Sequence, residues 1–597
     1  MNKPRDGAKK RQPEFGSDLI VDLMTGLDIE YAAFIPGATF RGIHDSIVNY
    51  AGNVNPKVIF CCHEEISVAI AHGYGKVRGK PMAAITHNIV GLQHASMAIF
   101  NAWCDRVPVI VLGGTGPMDT TKRRPWIDWV HTALVQGNQV RDYVKWDDQP
   151  HNLQSVPASL IRAYRIATTE PKAPVYICFD ITLQEDPIQE HIDLPDLSRF
   201  SPPAPLAAHP EALQKAAELL VTAKAPLIIA DFVGRNPAAV PSLIEIAELL
   251  SAPVIDKGNR FNFPNTHPLN ITGGSAQFLQ EADVILALDV QDLCGALRKA
   301  DHRVRKTLDY AISPLAKIVH ISMNDMLIHS WSSDYQGLEA IDVPISADTS
   351  VVLPELTRLC RRLTGNEGET NPQRRARFNN VQEKHDQLRS KWWAEAQATT
   401  SQKEIAAAFL ALEIWEVIKN EDWVLVNGNA NGWARRLWDW TKPYQYIGGS
   451  NGAGLGYGMG ASLGAALAHK GTGKICVDIQ ADGDLLMTTS ALWTAAHHQI
   501  PLLTVIYNNQ SYYNSELHQG HVAKFRNRPI ENAGIGTRLD NPLIDFAKIA
   551  EGFGMYSEGP IKNSAELRPA LKRALKVVKE QKIPALVDVN VIAEGRS

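Results

Sequence analysis

Two β-rich runs near the C-terminus constrain this chain more than anything else in it. Lys474-Ile475-Cys476-Val477-Asp478-Ile479 stops at Ala481-Asp482-Gly483-Asp484, and Leu502-Leu503-Thr504-Val505-Ile506-Tyr507 stops at Asn508-Asn509-Gln510-Ser511. Between them, Thr488 to His498 reads as a helix starting at Thr488 or Thr489. Strand, helix and strand at this spacing close as a right-handed parallel crossover, which puts both turns on the carboxyl edge of one sheet. Open parallel sheets take their ligands at that edge.

Asp482 and Asn509 lie 27 positions apart and offer two hard oxygens to one cation. A small octahedral ion such as Mg²⁺ takes few protein ligands and completes its shell with phosphate oxygens and water, so the implied ligand is a diphosphate. Asp-Gly or Asn-Asn alone is an ordinary turn. The weight comes from both, at matching strand ends.

At 597 residues the chain is too long for one core. Its 45% hydrophobic and 21% charged content is that of a soluble globular protein. A formal net charge of −4 gives no reason to expect nucleic acid or an anionic membrane as partner, and no apolar run approaches a membrane span. The basic start, Met1 to Arg11, lacks the apolar segment of a secretory signal and reads as a disordered tail. Seven cysteines without a Cys-x-x-Cys pair fit a reducing cytoplasm, and adjacent Cys61 and Cys62 read as a buried strand end.

Three αβ-rich regions follow one another. The first, 15–185, alternates helices with strands at Lys57–Cys61, Met82–Thr86, Pro108–Leu112 and Val175–Phe179; the second, 205–365, has strands at Pro226–Ala230, Val284–Leu288 and Lys317–Ile321; the third, 398–597, holds the paired turns. Proline-rich Glu185–Pro210 reads as a linker, and charged Asn366–Gln397 as a solvated helical connector. The expected fold is α/β, three parallel-sheet domains in one chain.

The paired turns resemble the thiamine diphosphate motif: Gly-Asp-Gly, just under thirty residues, then Asn-Asn, with Ala481 here replacing the first glycine. In the first region, His63-Glu64 followed by Gly73-Tyr74 resembles the pyrimidine-binding pattern of the same enzymes. That register makes Glu64, and not Glu65, the family glutamate. A carboxyl group there hydrogen-bonds N1′ of the aminopyrimidine and so promotes loss of the proton on the thiazolium C2.

The glycine run Gly448–Gly460 has two readings. Gly456-x-Gly458-x-x-Ala461, with Asp478 downstream, fits a loose dinucleotide fingerprint. Tyr444–Ile447 is too short for the first strand this needs, and Asp478 sits inside a strand. In the thiamine diphosphate family a similar stretch lies beneath the cofactor. That alignment makes Leu455 the wedge between the two rings and the carbonyl of Ala453 the acceptor for the 4′-amino group. Gly428-Asn429-Ala430, after strand Val424–Val426, offers backbone amides to the diphosphate. Asp482, Asn509 and the carbonyl of Ser511 are the implied metal ligands, with Gly483, Asp484 and Tyr512 beside the cofactor.

Over nearly the whole chain the likeness is to the acetolactate synthase and benzaldehyde lyase branch. Phe34-Ile35-Pro36-Gly37 matches its first-domain turn, which implies that Pro36 and Thr86 bind the cofactor, and Asn101–Pro108 resembles a benzaldehyde lyase segment. The departures fall where substrate belongs. Thr86 to His94 replaces a Thr-x-Gly-Pro-Gly loop, His131 stands at a family glutamine, and Thr39 at a benzaldehyde lyase histidine. His87, His94 and His131 are therefore candidate proton-transfer groups. His497-His498, at a helix end, reads as structural.

In some relatives the central domain holds FAD or ADP. Here Ala230–Arg235 carries a single glycine where a glycine-rich turn would stand, so a nucleotide is not favoured. The resemblance implies a Mg²⁺- and thiamine diphosphate-dependent enzyme that makes or breaks a carbon–carbon bond in 2-oxo acids or 2-hydroxy ketones, as carboligase, lyase or decarboxylase. It also implies a homo-oligomer, dimer or dimer of dimers, with active sites at the interface. The rival of another class is a non-catalytic protein of the same fold, kept for binding or regulation. The third reading, a nicotinamide oxidoreductase, rests on the glycine run alone.

Overall fold

The computed structural model describes residues 12–125, 127–301, 307–326, 337–365 and 371–593. The basic start expected to be disordered lies outside them. Three fully parallel sheets carry the chain. The first contains β1 (Tyr31–Phe34), β2 (Lys57–Phe60), β3 (Ala83–Thr86), β4 (Ile110–Thr115), β5 (Asp147–Asp148) and β6 (Val175–Asp180), in the order β2-β1-β3-β4-β6-β5. The second contains β7 (Pro226–Ala230), β8 (Val254–Asp256), β9 (Val284–Leu288), β12 (Lys317–Ile321) and β13 (Val343–Ile345), in the order β13-β12-β9-β7-β8; beside it β10 (Arg298–Asp301) and β11 (Thr307–Tyr310) form an antiparallel hairpin. In the third, β14 (Trp423–Asn427), β15 (Ile475–Ala481), β16 (Leu503–Asn508), β17 (Tyr556–Ile561) and β18 (Ala585–Asn590) run in the order β14-β15-β16-β18-β17.

Helices cover both faces of such a sheet, so its central strands read as unbroken apolar runs. β3 is Ala-Ala-Ile-Thr and β16 is Leu-Thr-Val-Ile-Tyr-Asn, and every residue of both is buried. β5, only two residues of Asp-Asp, has no such signature. The linker ends at His209, because Pro210 opens the helix Pro210–Thr222 as its first residue. Of the charged connector, Pro372–Ala398 is helical, and 366–370 lie outside the described residues. The crossover between β15 and β16 departs from the expected single helix. Asp482-Gly483 is already the first turn of helix Asp482–Met487, and a second helix, Ala491–His498, follows. His498 Nε2 accepts a hydrogen bond from the Phe60 amide at 2.8 Å, the structural role expected of it.

The helix Glu64–Arg78 joins the outer sheets. His63 caps its start by accepting from the Glu65 amide, Glu64 and Glu65 occupy its positive end, Lys76 and Arg78 its negative end, and Gly79 closes it at φ +65°. It packs on the helix Tyr457–Ala468 so closely that backbones touch. A Cβ on Gly73 would lie 1.9 Å from the Ala461 carbonyl oxygen, and one on Gly464 1.9 Å from that of Ile70. Ile66 and Ile70 share one buried core with Met459 and Leu463. The first and third domains therefore meet as a single packed unit.

Candidate active site

Cofactor-side residues gather at two sheet edges. On the third sheet, β15 and β16 are hydrogen-bonded neighbours with Ala481 opposite Tyr507, so Asp482 and Asn509 emerge side by side. The Asp482 side chain turns toward the second loop. Its Oδ2 accepts from the amides of Gln510 at 2.7 Å and Ser511 at 3.3 Å, and its Oδ1 from that of Gly483 at 2.8 Å. Asn509 Oδ1 accepts from the Ser511 amide at 3.1 Å. Burial pushes the Asp482 carboxyl up to about 6 against the pull of these three amides. A buried carboxylate costly to ionise, beside an amide oxygen, suits a bound cation, which offsets the desolvation.

These residues open on a cavity of about 560 Å³ shared with Ala453, Leu455, Gly483, Asp484, Ser511 and Tyr512. Gly483 leaves room for the Tyr512 ring, which would stand 2.5 Å from a Cβ there, and the Tyr512 hydroxyl donates to the Gly483 carbonyl. After β14, Gly428, Ala430 and Asn431 all have left-handed backbone, at φ +71°, +48° and +55°. Alternation of left-handed with ordinary backbone is the arrangement found in anion-binding nests. Asn429 braces it by accepting from the Gly432 amide at 2.9 Å, and Asn431 lines the cavity. Asn431 was not among the residues expected from sequence, although it directly follows the Gly-Asn-Ala turn that was.

The glycine run is held from two sides. Asp484 accepts from the amides of Gly456 at 2.8 Å and Gly458 at 3.0 Å, and a Cβ on Gly458 would lie 2.5 Å from its carboxylate. Across the domain boundary, Asn101 and Asp105 bind the backbone of Gly454 and Asn451. Lys76, buried, donates to Asp105 at 2.7 Å and to the Gly449 carbonyl at 2.5 Å. Ala453 consequently sits at φ +50°, and Leu455, 47% exposed, projects into the cavity. The run opens the helix Tyr457–Ala468 rather than following a strand of its own. Asp478 stays buried in β15, donated to by Asn427, so the dinucleotide geometry is absent.

On the first sheet, Pro36 follows β1, Glu64 opens the helix after β2, Thr86 ends β3 and His87 follows it. Glu64 is 6% exposed and its Oε2 meets His94 Nδ1 at 3.0 Å. Gly91 makes room for this, because a Cβ there would stand 2.7 Å from Glu64 Oε1. His87 Nδ1 accepts from the Asn88 amide at 2.9 Å and contacts Thr39 Oγ1 at 3.1 Å, which leaves the ring proton of the neutral form on Nε2. Burial and the neighbouring His131 lower its pKa. The His87 and His131 rings meet edge to face at 5.5 Å. Thr86 Oγ1, both side-chain polar atoms of Asn88, and His131 Nδ1 are buried with no partner among the described residues. Such orphans fit a site that receives a polar group.

Glu64 and Glu65 point to different places. Glu65 Oε1 lies beside Gly456 in the same chain, and burial together with Asp484 pushes its carboxyl up to about 7. The cavity at Asp482 is lined by residues 431 to 517 only, without Glu64. Thus the structure brings together Ala453, Leu455, Asp482, Gly483, Asp484, Asn509, Ser511 and Tyr512, and separately Glu64, His87, His94 and His131. It does not merge the two sets within one chain.

Comparison with known proteins agrees with this geometry. Residues 15–139, 213–356 and 427–589 match the N-terminal TPP binding domain, the central domain and the C-terminal TPP binding domain of thiamine pyrophosphate enzymes. The chain belongs to the thiamine pyrophosphate enzyme family. It is 24% identical to acetolactate synthase 1, chloroplastic, of Zea mays over 97% of this chain and 86% of that protein. It is 23% identical to the acetolactate synthase large subunit of Haemophilus influenzae over 96% and 94%. Among solved structures, a thiamine diphosphate-dependent 4-hydroxybenzoylformate decarboxylase of Rhodococcus jostii superposes with a TM-score of 0.76 at 18% identity. It covers 98% of this chain and 100% of that one. Benzoylformate decarboxylase of Polynucleobacter necessarius gives 0.75 at 18%, with the same coverage. The protein is thus a thiamine diphosphate-dependent enzyme, and acetolactate synthases are among its relatives.

Proposed function

We propose that this enzyme uses Mg²⁺ with thiamine diphosphate to make or break the carbon–carbon bond next to a carbonyl, in a 2-oxo acid or 2-hydroxy ketone. The observation that carries this reading is the side-by-side emergence of Asp482 and Asn509 from β15 and β16 into one cavity. Asp482, Asn509 and the Ser511 carbonyl would hold the metal, the Gly428–Asn431 turn would receive the diphosphate, and Leu455 and Ala453 would lie against the two rings. When bound, the cofactor supplies a nucleophilic carbon and an electron sink. Glu64 would hold and move the proton shared with the cofactor's ring nitrogen. His87 and His131 face the substrate, with neutral His87 offering its Nε2–H. Carboligation and decarboxylation share these steps. The acetolactate synthase relatives favour carboligation, and the decarboxylase-like fold neighbours keep simple decarboxylation as the second reading.

The active unit in this reading is at least a homodimer, because Glu64 contacts His94 and does not line the cavity at its own chain's metal motif. Glu64→Gln and Asp482→Ala chains, each inactive, should recover part of the activity when mixed under subunit exchange, since some sites are then assembled from two intact halves. No recovery, with exchange verified by mass, would place both halves in one chain. For the reaction itself, 2-oxo acids screened with aldehyde acceptors should give a carboligated or decarboxylated product that depends on both thiamine diphosphate and Mg²⁺. Absence of any such product defeats the reading.

A further inference from the structure

We propose that His94 is a proton relay that acts through Glu64. This rests on the reading of Glu64 as the group that contacts the cofactor. His94 Nδ1 is 3.0 Å from Glu64 Oε2, and within the single chain its side chain is 57% exposed while that of Glu64 is only 8%. A buried carboxyl that must gain and lose a proton in each cycle needs a route to water, and an imidazole provides one by taking a proton at one nitrogen and giving one at the other. In the loading direction, water gives a proton to Nε2 of the neutral Nδ1–H ring and the Nδ1 proton passes to the Glu64 carboxylate, leaving a neutral acid and the neutral Nε2–H ring. Return of the ring proton from Nε2 to Nδ1 through water resets the relay. One proton enters the ring at Nε2 and one leaves it at Nδ1 for Glu64, and the reverse sequence discharges Glu64.

The surroundings hold the ring for this task. His63 stacks on His94 at 4.7 Å between centroids and 23° between planes, and is itself fixed because its Nδ1 accepts from the Glu65 amide at 3.2 Å. Burial and the His94 charge lower the pKa of His63. A neutral ring therefore lies against His94 rather than a second cation. The other titratable groups near it are Glu65, whose carboxyl burial and Asp484 push up against the pull of the His94 charge, and His87, held by Asn88 and Thr39. His94 occupies the first full turns of helix Ile89–Cys104, a rigid element and not a loop, so the contact survives loop motion.

Two measurements test the relay. In cofactor-free protein carrying ¹⁵N-histidine, the nitrogen shifts of neutral His94 should report the Nδ1–H tautomer, and Glu64→Ala should move it toward Nε2–H. An Nε2–H tautomer unaffected by Glu64 would overturn the contact. In the loaded enzyme, exchange of the cofactor C2 proton followed by NMR should slow about 10²-fold in His94→Gln. Its pH dependence should flatten, and cofactor affinity should hold. Added imidazole should restore part of the rate in His94→Ala, which a purely structural role would not allow. Slow exchange in Glu64→Gln with normal, pH-dependent exchange in His94→Gln overturns the relay alone. Normal exchange in Glu64→Gln overturns the assignment of Glu64 and the relay with it.

Discussion

Gly73→Ala tests whether the two outer domains are locked by backbone contact. The added Cβ would lie 1.9 Å from the Ala461 carbonyl oxygen, where ordinary contact begins at 3.4 Å, so the helices must part by about 1.5 Å (3.4 − 1.9). Nothing flexible can absorb the clash, because the opposing atom belongs to the backbone of helix Tyr457–Ala468. Overpacking of this kind costs about 3 kcal/mol, and the gain of alanine over glycine in a helix returns about 1, for a net loss near 2 kcal/mol. Glu64 lies nine residues toward the N-terminus of the same helix, so the displacement also reaches the site. A shift of about 1 Å there can cost about 10²-fold in rate. Urea unfolding of the cofactor-free protein and C2-proton exchange of the loaded enzyme measure the two effects. Gly552→Ala, also helical but with nothing within 4 Å, is the control and should be neutral or slightly stabilising. Equal stability and equal exchange in the Gly73 and Gly552 variants would refute the interlock.

Asp482→Ala and Asn509→Ala should each weaken Mg²⁺ and thiamine diphosphate binding together; calorimetric titration showing normal cofactor affinity and normal metal dependence in either variant contradicts the shared site. Burial pushes the Asp478 carboxyl up to about 8, so between roughly pH 4 and 8 the native state holds a proton that the unfolded chain has lost. Its contribution is complete below pH 4 and declines by up to about 1.4 kcal/mol per pH unit as pH rises to 8. Asp478→Asn keeps an oxygen for the Asn427 amide and should therefore gain on wild type across that window in unfolding measured against pH, whereas a constant difference would remove the cause. His131→Gln should flatten the pH dependence of turnover near neutrality and alter the ratio of protonated to ligated product, with cofactor affinity unchanged. An unaltered profile and ratio would make His131 structural.

The strand ends that carry the chemistry were legible because parallel strands are buried on both faces. Their apolar runs stop abruptly at Asp482, Asn509, Gly428 and Thr86. The glycine run was ambiguous in sequence, since a loose fingerprint repeats at several registers. Asp484 resolves it by taking the Gly456 and Gly458 amides. The helix at Asp482 has no distinct signal in the sequence because Asp-Gly reads as a turn, yet Asp is equally at home at a helix N-terminus, where four amides lack partners.

What the sequence by itself determined is local: parallel βα units, turn residues at their carboxyl ends, and residue types suited to a metal, a diphosphate and a ring nitrogen. A strand's period and a turn's chemistry depend on neighbours in the chain, so one dimension suffices for them. Only the tertiary structure decided the rest. Adjacent Glu64 and Glu65 are nearly identical chemically, but a helix places successive side chains about 100° apart. One therefore meets His94 and the other meets Gly456 across the domain boundary. The grouping of His63, His87, His94 and His131 about the first sheet's edge likewise follows from the packing order of strands and helices, which no spacing along the chain encodes.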